Sequence, residues 1–493
     1  RKRFSPPRNA PPLEEALPHP QGVEGVTQVP SPKSQVPSTS QVPSASQVPI
    51  FPLTRTGRNT FILFLDRALG AAMPLALKAA PELAASYDGF IWYPNTLSFG
   101  HTTVTGLPAL AGGYDYSPEA LDARAGEPLV DKINEALRLM PALAGGAGLR
   151  VTVTDPTMAN MQLVPDLSIY HAMPNVSAYN LDGRKDTQYQ AAFPPKEERF
   201  VDSFDFDILF RYGLFRIALP ALRYGIHYKG TWWRDGATNA YGRALTEFAT
   251  LYYLSDFCYA DEGADTFALC MNETTHEPGA YTAALRPQQG VIRYSDAERA
   301  LFGTDDNCAY MYTFIAALTA AARWLEWLKA QGLYDNTRII IVSDHGAAFA
   351  DAPGFVDAAG GAGSDMAAYN PLLMVKERGA RGPLASSSSL MTNADTPRLA
   401  LRDLAAPLLN PYTGAPLSDA PASERLPLTV SAGISFQPRL HGPNQYHLKA
   451  RRSLHAPDVF SASAWGNWEP PNLGVRTQDS EFKSQVPNTE AAP

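Results

Sequence analysis

The stretch "TRIIIVSDHG", residues 337–346, decides how this chain folds. Four consecutive β-branched apolar residues read as a strand buried on both faces, the pattern of a central strand in a parallel sheet. The run then stops abruptly in Ser-Asp-His-Gly, where side chains emerge above the sheet and Gly346 lets the backbone turn. Similar runs occur at "NTFILFLD" (59–66), "YDGFIWYP" (87–94), "LRVTVTD" (149–155), "DTFALCMN" (265–272) and "NPLLMVK" (370–376). Helical patterns lie between them, at 117–140, 241–257 and 309–332. In the last of these, Phe314, Leu318, Ala321, Leu325 and Leu328 repeat with helical period and line one face. Alternating strands and helices predict an α/β fold, a mostly parallel central sheet with helices on both faces. Ligands of such sheets gather at the carboxyl ends of the strands, and three of these runs end in an acid: Asp66, Asp155 and Asp344.

The chain has 493 residues and a formal net charge of −8, which argues against nucleic acid as a partner. Residues 1–56 are rich in Pro, Ser and Gln and repeat a short unit, "TQVP" at 27 and "SQVP" at 34, 40 and 46. The unit returns at 484. Too little apolar surface is present there to offset the entropy of ordering, so 1–56 reads as a disordered linker and 471–493 as a disordered tail. Order is expected from Asn59. No run of about 18 apolar residues is present. The opening "RKRF" is a basic cluster of the kind found beside a membrane segment, and the chain reads as a processed piece of a longer protein. Of the three cysteines, Cys258 and Cys270 are close enough in sequence to bridge; buried thiols are the alternative for all three, including Cys308.

Adjacent Asp344 and His345 can ligate one cation together, because the chain is leaving extended geometry there. Asp66 offers a second carboxylate at another strand end. Two carboxylates and an imidazole suit one divalent ion, Mn or Zn, with a position left open. A strand-terminal Asp is also a common turn former or helix cap. "FGHTTVTGLPALAGG" (99–113) carries no charged side chain and sets three threonines before a helical pattern. A threonine hydroxyl at a helix N-terminus lies in a field that favours a phosphoryl group, and a cation beside it lowers the barrier to its deprotonation. Gly100 and Gly106 permit close backbone approach. The same residues also suit a plain Thr-rich helix cap.

"NTLSFGHTTVTGLPAL", "FILFLDR", "NETTHEP" and "YDNTRIIIVSDHG" together resemble the alkaline-phosphatase/sulfatase superfamily, and within it the lipoteichoic acid synthases and phosphoethanolamine transferases of bacterial envelopes. The transferases carry Ser-Cys-Gly-Thr-x-Thr with Pro five residues beyond the nucleophile. Here that run is Ser98 to Thr103, with Pro108 in register. The resemblance, spanning about 57–410, implies Thr103 as nucleophile (Thr102 as fallback), Asp66, Thr103, Asp344 and His345 around the metal, and His276 as the substrate-binding histidine. "HYKGTWWRDG" (227–236) matches the composition of the synthases' substrate pocket and offers Trp232, Trp233 and Arg234, with core packing of the tryptophans an equal alternative. "NADTP" (393–397) reads as structural.

There are departures. Asp66 stands where those transferases use Glu, the cysteines bracketing their nucleophile are absent, and no His follows His345 by a dozen residues. The sulfatase nucleophile pattern, Cys or Ser followed by x-Pro-x-Arg, does not occur. The resemblance therefore implies a sulfatase-like catalytic domain over 57–470, transferring a phosphoglycerol or phosphoethanolamine head group from a phospholipid donor to an envelope glycan or polymer. The implied location is the extracytoplasmic face of a bacterial membrane, tethered through segments absent from this chain. Alternatives are a phosphodiesterase or phosphatase with the same covalent intermediate, and a non-catalytic envelope binding protein.

Overall fold

The structure is a computed structural model that describes residues 49–162, 164–194, 206–227, 236–277, 279–288, 292–355, 364–417, 419–434 and 444–470. Its centre is an eight-stranded sheet. In chain order the strands are β1 (Asn59–Leu65), β2 (Phe90–Trp92), β3 (Arg150–Thr154), β4 (Val176–Tyr179), β5 (Thr266–Asn272), β6 (Thr337–Val342), β7 (Leu373–Lys376) and β8 (Ala385–Ser386). Across the sheet the order is β8-β2-β7-β6-β1-β5-β3-β4. Neighbours from β6 to β4 are all parallel, whereas β7 runs antiparallel to both β6 and β2. The sheet is thus mostly parallel, as the strand-helix alternation predicts.

Strict alternation along the central strands divides the core in two. Phe61, Leu63 and Leu65 of β1 point to one face with Ala268, Cys270, Ile339 and Ile341. Ile62 and Phe64 point to the other with Leu269, Met271, Ile340 and Val342. Every residue of β1, β5 and β6 is buried, and each large apolar side chain so placed stabilises the fold by roughly 2 kcal/mol. The first face is covered by the helix Asp305–Ala330, whose N-terminus is capped by the Thr304 hydroxyl and whose apolar stripe is buried as expected. Trp324 of this helix packs its ring 4.4 Å from that of Phe61. The second face is covered by α1 (Thr103–Gly112) and α2 (Leu129–Gly146). No described helix is long and apolar enough to cross a membrane.

Two expectations need correction. Phe51–Thr54, inside the expected linker, forms a strand paired parallel with Cys258–Asp261. Phe51 and Leu53 are fully buried; an alternating "IFPLT" follows the Pro-rich repeats directly, and its composition merges with theirs. Cys258, Cys270 and Cys308 are all free, buried thiols, so the bridge is not formed.

The helix α1 carries Pro108 in its interior. Proline has no N–H, so the carbonyl of Val104 loses its helical partner. The buried Tyr446 supplies the missing donor, its hydroxyl lying 2.6 Å from the Val104 oxygen. The carbonyl that the internal proline leaves open is thereby satisfied.

Candidate active site

Three strand ends and one helix start meet above the sheet. Asp66 follows β1, and its backbone N–H bonds the Asn272 carbonyl at the end of β5, while its own carbonyl accepts the Thr275 hydroxyl at 2.5 Å. Asp344 and His345 follow β6. Thr103 is the first residue of α1, after Thr102 in extended conformation. The Thr103 Oγ1 lies 3.4 Å from each oxygen of Asp66 and 3.5 Å from Nε2 of His345. His345 Nε2 is 3.7 Å from Asp66 Oδ1 and 3.6 Å from Asp344 Oδ2. The fallback Thr102 is the cap residue instead, its hydroxyl turned to that of Thr105 at 3.0 Å.

Hydrogen bonding fixes the state of each group. His345 Nδ1 donates to the Gly346 carbonyl at 2.6 Å, so the lone pair of Nε2 faces the carboxylates. Asp344 Oδ1 accepts the amides of His345 at 2.9 Å and Arg67 at 3.2 Å. Its Oδ2 is buried with no hydrogen-bond partner. Burial and then the neighbouring Asp344 push the Asp66 carboxyl well above the usual range. Asp66, Asp344 and His345 are 1 %, 0 % and 4 % exposed. Two buried carboxylates, one with an orphaned oxygen, and an imidazole lone pair at one point are mutually repulsive unless a cation joins them. Among the described residues they are the group that could hold a metal ion, and two carboxylates with an imidazole fit a divalent cation.

Backbone contact sets this geometry. A Cβ on Gly106 would stand 2.5 Å from the Asp344 carbonyl oxygen, and one on Gly346 2.1 Å from that of Ala367. Asn393, in the segment read as structural, donates Nδ2 to Asp344 O at 2.7 Å, Gly106 O at 3.0 Å and Ser98 Oγ at 3.2 Å. Ser98 Oγ lies 2.7 Å from Gly100 O and 2.6 Å from Asp344 O, and its single proton can be donated to either. The helix α1 is thus clamped to the end of β6. Arg67, in the left-handed region at φ 62°, ion-pairs with Glu277 and also feels the charges of Asp66 and Asp344.

His276 lines the same cavity as Thr103 and Asp66. Its Nδ1 donates to the Glu277 carbonyl at 2.7 Å. Burial and then Arg243 lower it to about 4, so the ring is neutral at pH 7 with Nε2 free to accept a proton. Asp155 does not join the metal group. It turns into the cavity with Asp182, Arg243, Glu247 and Glu273, residues that sequence reasoning missed because they come from separate segments with no shared motif. Trp232, Trp233 and Arg234 lie outside the described residues.

No family model matches the sequence, and no curated protein does. Among solved structures, the chain is similar to a phosphonate monoester hydrolase from Silicibacter pomeroyi, at 15 % identity over 80 % of this chain and 85 % of that one, TM-score 0.47. It is similar to the lipoteichoic acid synthase LtaP from Listeria monocytogenes, at 12 % identity over 70 % and 71 %, TM-score 0.38. A third is a protein in the alkaline phosphatase superfamily from Vibrio parahaemolyticus, at 14 % identity over 86 % and 83 %, TM-score 0.40.

Proposed function

We propose that this chain is a metal-dependent phosphotransferase with Thr103 as nucleophile, moving a phosphoglycerol- or phosphoethanolamine-type head group from a phospholipid to an envelope glycan or polymer. Its place would be the extracytoplasmic face of a bacterial membrane. The single observation that carries the reading is the Thr103 hydroxyl, at a helix N-terminus and within 3.5 Å of Asp66 and His345.

A divalent ion held by Asp66, Asp344 and His345 would ease deprotonation of that hydroxyl and offset phosphoryl charge. The chain's own groups do the rest. The amides of Thr103 and Val104, the first two of α1, would bind the phosphoryl oxygens, since those of Thr105 and Gly106 donate to the Thr102 carbonyl. Thr103 Oγ1 forms a bond to phosphorus as the bond to the diacylglycerol oxygen breaks, and its proton ends on the departing alcohol. In the second half the acceptor hydroxyl attacks phosphorus and the Thr103–phosphorus bond breaks. His276 Nε2 takes the acceptor's proton, which ends on Thr103 Oγ1. No net proton is lost.

Intact-protein mass spectrometry after incubation with mixed bacterial phospholipids tests this. The expected result is a covalent adduct on Thr103 whose mass is that of the head-group phosphate, absent in Thr103→Ala. Discharge of the adduct only with an added acceptor supports transfer. Discharge by water at a rate no acceptor changes would make the protein a hydrolase, and no adduct under any condition would end the catalytic reading.

A further inference from the structure

Ten large apolar side chains are exposed among the described residues. Five of them are far apart in sequence, as on any protein surface. The other five, Phe210, Tyr212, Ile217, Leu219 and Leu222, fall within one stretch of thirteen residues. Apolar surface gathered in this way marks a face that something covers.

The stretch forms two short helices, α3 (Phe206–Ile217) and α4 (Pro220–His227), packed on each other. Pro220 cannot continue the first helix and suits the first position of the second. Arg223 ties the pair together. Its Nε donates to the Ala218 carbonyl at 3.1 Å and its Nη2 to the Arg216 carbonyl at 3.2 Å. The guanidinium also lies over the Phe215 ring, 5.6 Å from its centre. A cation thus stands at the C-terminal end of α3, where carbonyls lack intrahelical partners. The turn is held from within while its apolar side chains stay outside: Ile217 is 82 % exposed and Leu219 71 %.

Along α3, Phe210, Leu214 and Ile217 follow the spacing i, i+4, i+7 and share one stripe. Arg211 and Arg216 fall on either side of it. The two helices hold three arginines, and Asp207 is their single acid, in a chain whose net charge is −8. Arginine keeps its charge at any physiological pH and can lay its stem along apolar surface.

The charge decides what covers this hairpin. A second copy packed about a two-fold axis would set its arginines against the same arginines. An anionic bilayer meets both needs at once, with phosphates for the guanidiniums and acyl chains just beneath for the apolar side chains. Helices of 12 and 8 residues are too short to cross a bilayer, which takes about 20. They can only lie in its interface.

We infer that the α3–α4 hairpin docks on an anionic phospholipid bilayer, with Ile217, Leu219 and Leu222 at head-group depth and Arg216 on the lipid phosphates. The next described helix in the chain, Gly236–Tyr252, carries Arg243 and Glu247 into the cavity beside Thr103. A short length of chain therefore joins the docking surface to that cavity.

Co-sedimentation of the full chain with vesicles tests the docking. One set contains phosphatidylglycerol in phosphatidylcholine, the other phosphatidylcholine alone. Each arginine at an anionic surface contributes a factor of about five, so the anionic vesicles are expected to bind at least about tenfold more tightly. High salt should remove that difference. Joint replacement Ile217→Ser and Leu219→Ser should weaken binding at least about tenfold, and Arg216→Glu should cut the preference for anionic lipid at least about fivefold. All three side chains are exposed, so both variants should unfold at the parental midpoint. No binding to either vesicle, equal binding to both, or unchanged binding by the serine variant would each overturn the inference. So would a parental dimer that the serine variant converts to monomer with no vesicle binding, which would make the hairpin a self-association surface. Docking stands or falls on these results whether or not Thr103 forms an adduct, so its failure is distinct from that of the transfer reading.

Discussion

Replacing Gly106 by alanine puts the clamp between the nucleophile helix and β6 under direct strain. The added Cβ would meet the Asp344 carbonyl oxygen at 2.5 Å and its carbon at 3.1 Å. Ordinary contact begins at about 3.4 Å, so α1 and the end of β6 must separate by ~0.9 Å. Neither partner is a flexible side chain, and Asn393 ties both Gly106 O and Asp344 O, so the shift is passed to Thr103 one turn earlier. A displacement of this size at a reacting atom costs on the order of 100-fold in rate. Stability should move far less: alanine gains about 1 kcal/mol of helix propensity over glycine, against about 1–3 kcal/mol for overpacking. The assay is the rate of adduct formation on Thr103, beside thermal unfolding of the same preparation. A Gly106→Ala protein that labels Thr103 at the parental rate would refute the claim that this backbone contact sets the nucleophile's position.

Metal should bind and stabilise the folded chain: at 100 times its dissociation constant, Mn or Zn is expected to add about 2.7 kcal/mol. Asp344→Asn should abolish that gain while leaving the chelated protein at least as stable as the parent, since a buried carboxylate with an orphaned oxygen is removed; thermal unfolding with and without chelator checks both. His276→Gln should form the Thr103 adduct but discharge it to acceptors at least about 100-fold more slowly, so the adduct accumulates in mass spectra. Asp182 sits near 6, above its ordinary 3.8, through burial and the charges of Glu273 and Asp186, with Arg243 and the Glu247 hydrogen bond opposing. The folded state therefore holds this proton more tightly than the unfolded one, and its share of stability falls as pH rises from about 4 through about 6. Asp182→Asn should accordingly stabilise at pH 7 by up to about 1 kcal/mol, less than an unscreened charge would give, and by nearly nothing at pH 4; unfolding curves at the two pH values decide it.

Much of the machinery was readable in order along the chain, because it depends on local pattern. The runs 59–65, 266–272 and 337–342 are uniformly apolar since each is buried on both faces. Their ends mark Asp66 and Asp344-His345, and the threonines before the apolar run at 104–111 mark the start of α1. Antiparallel β7 looked like its parallel neighbours, because a short buried strand carries no direction in its residue types. Phe51–Thr54 was hidden by the proline-rich segment before it. Asn393 gave no sign of bridging Gly106 and Asp344, since its acceptors are backbone oxygens of residues 287 and 49 positions away. The acidic wall is the clearest case. Asp155, Asp182 and Glu247 lie on three separate segments; Asp155 reads as a strand-terminal acid, but Asp182 and Glu247 alone read as ordinary surface acids. Only the packing of Gly236–Tyr252 against β5 and the turns after β3 and β4 brings them around one cavity. Sequence thus determines which side chains stand at the carboxyl ends of the strands, because periodicity fixes burial locally. Which charges then face one another depends on long-range register, which no local pattern encodes.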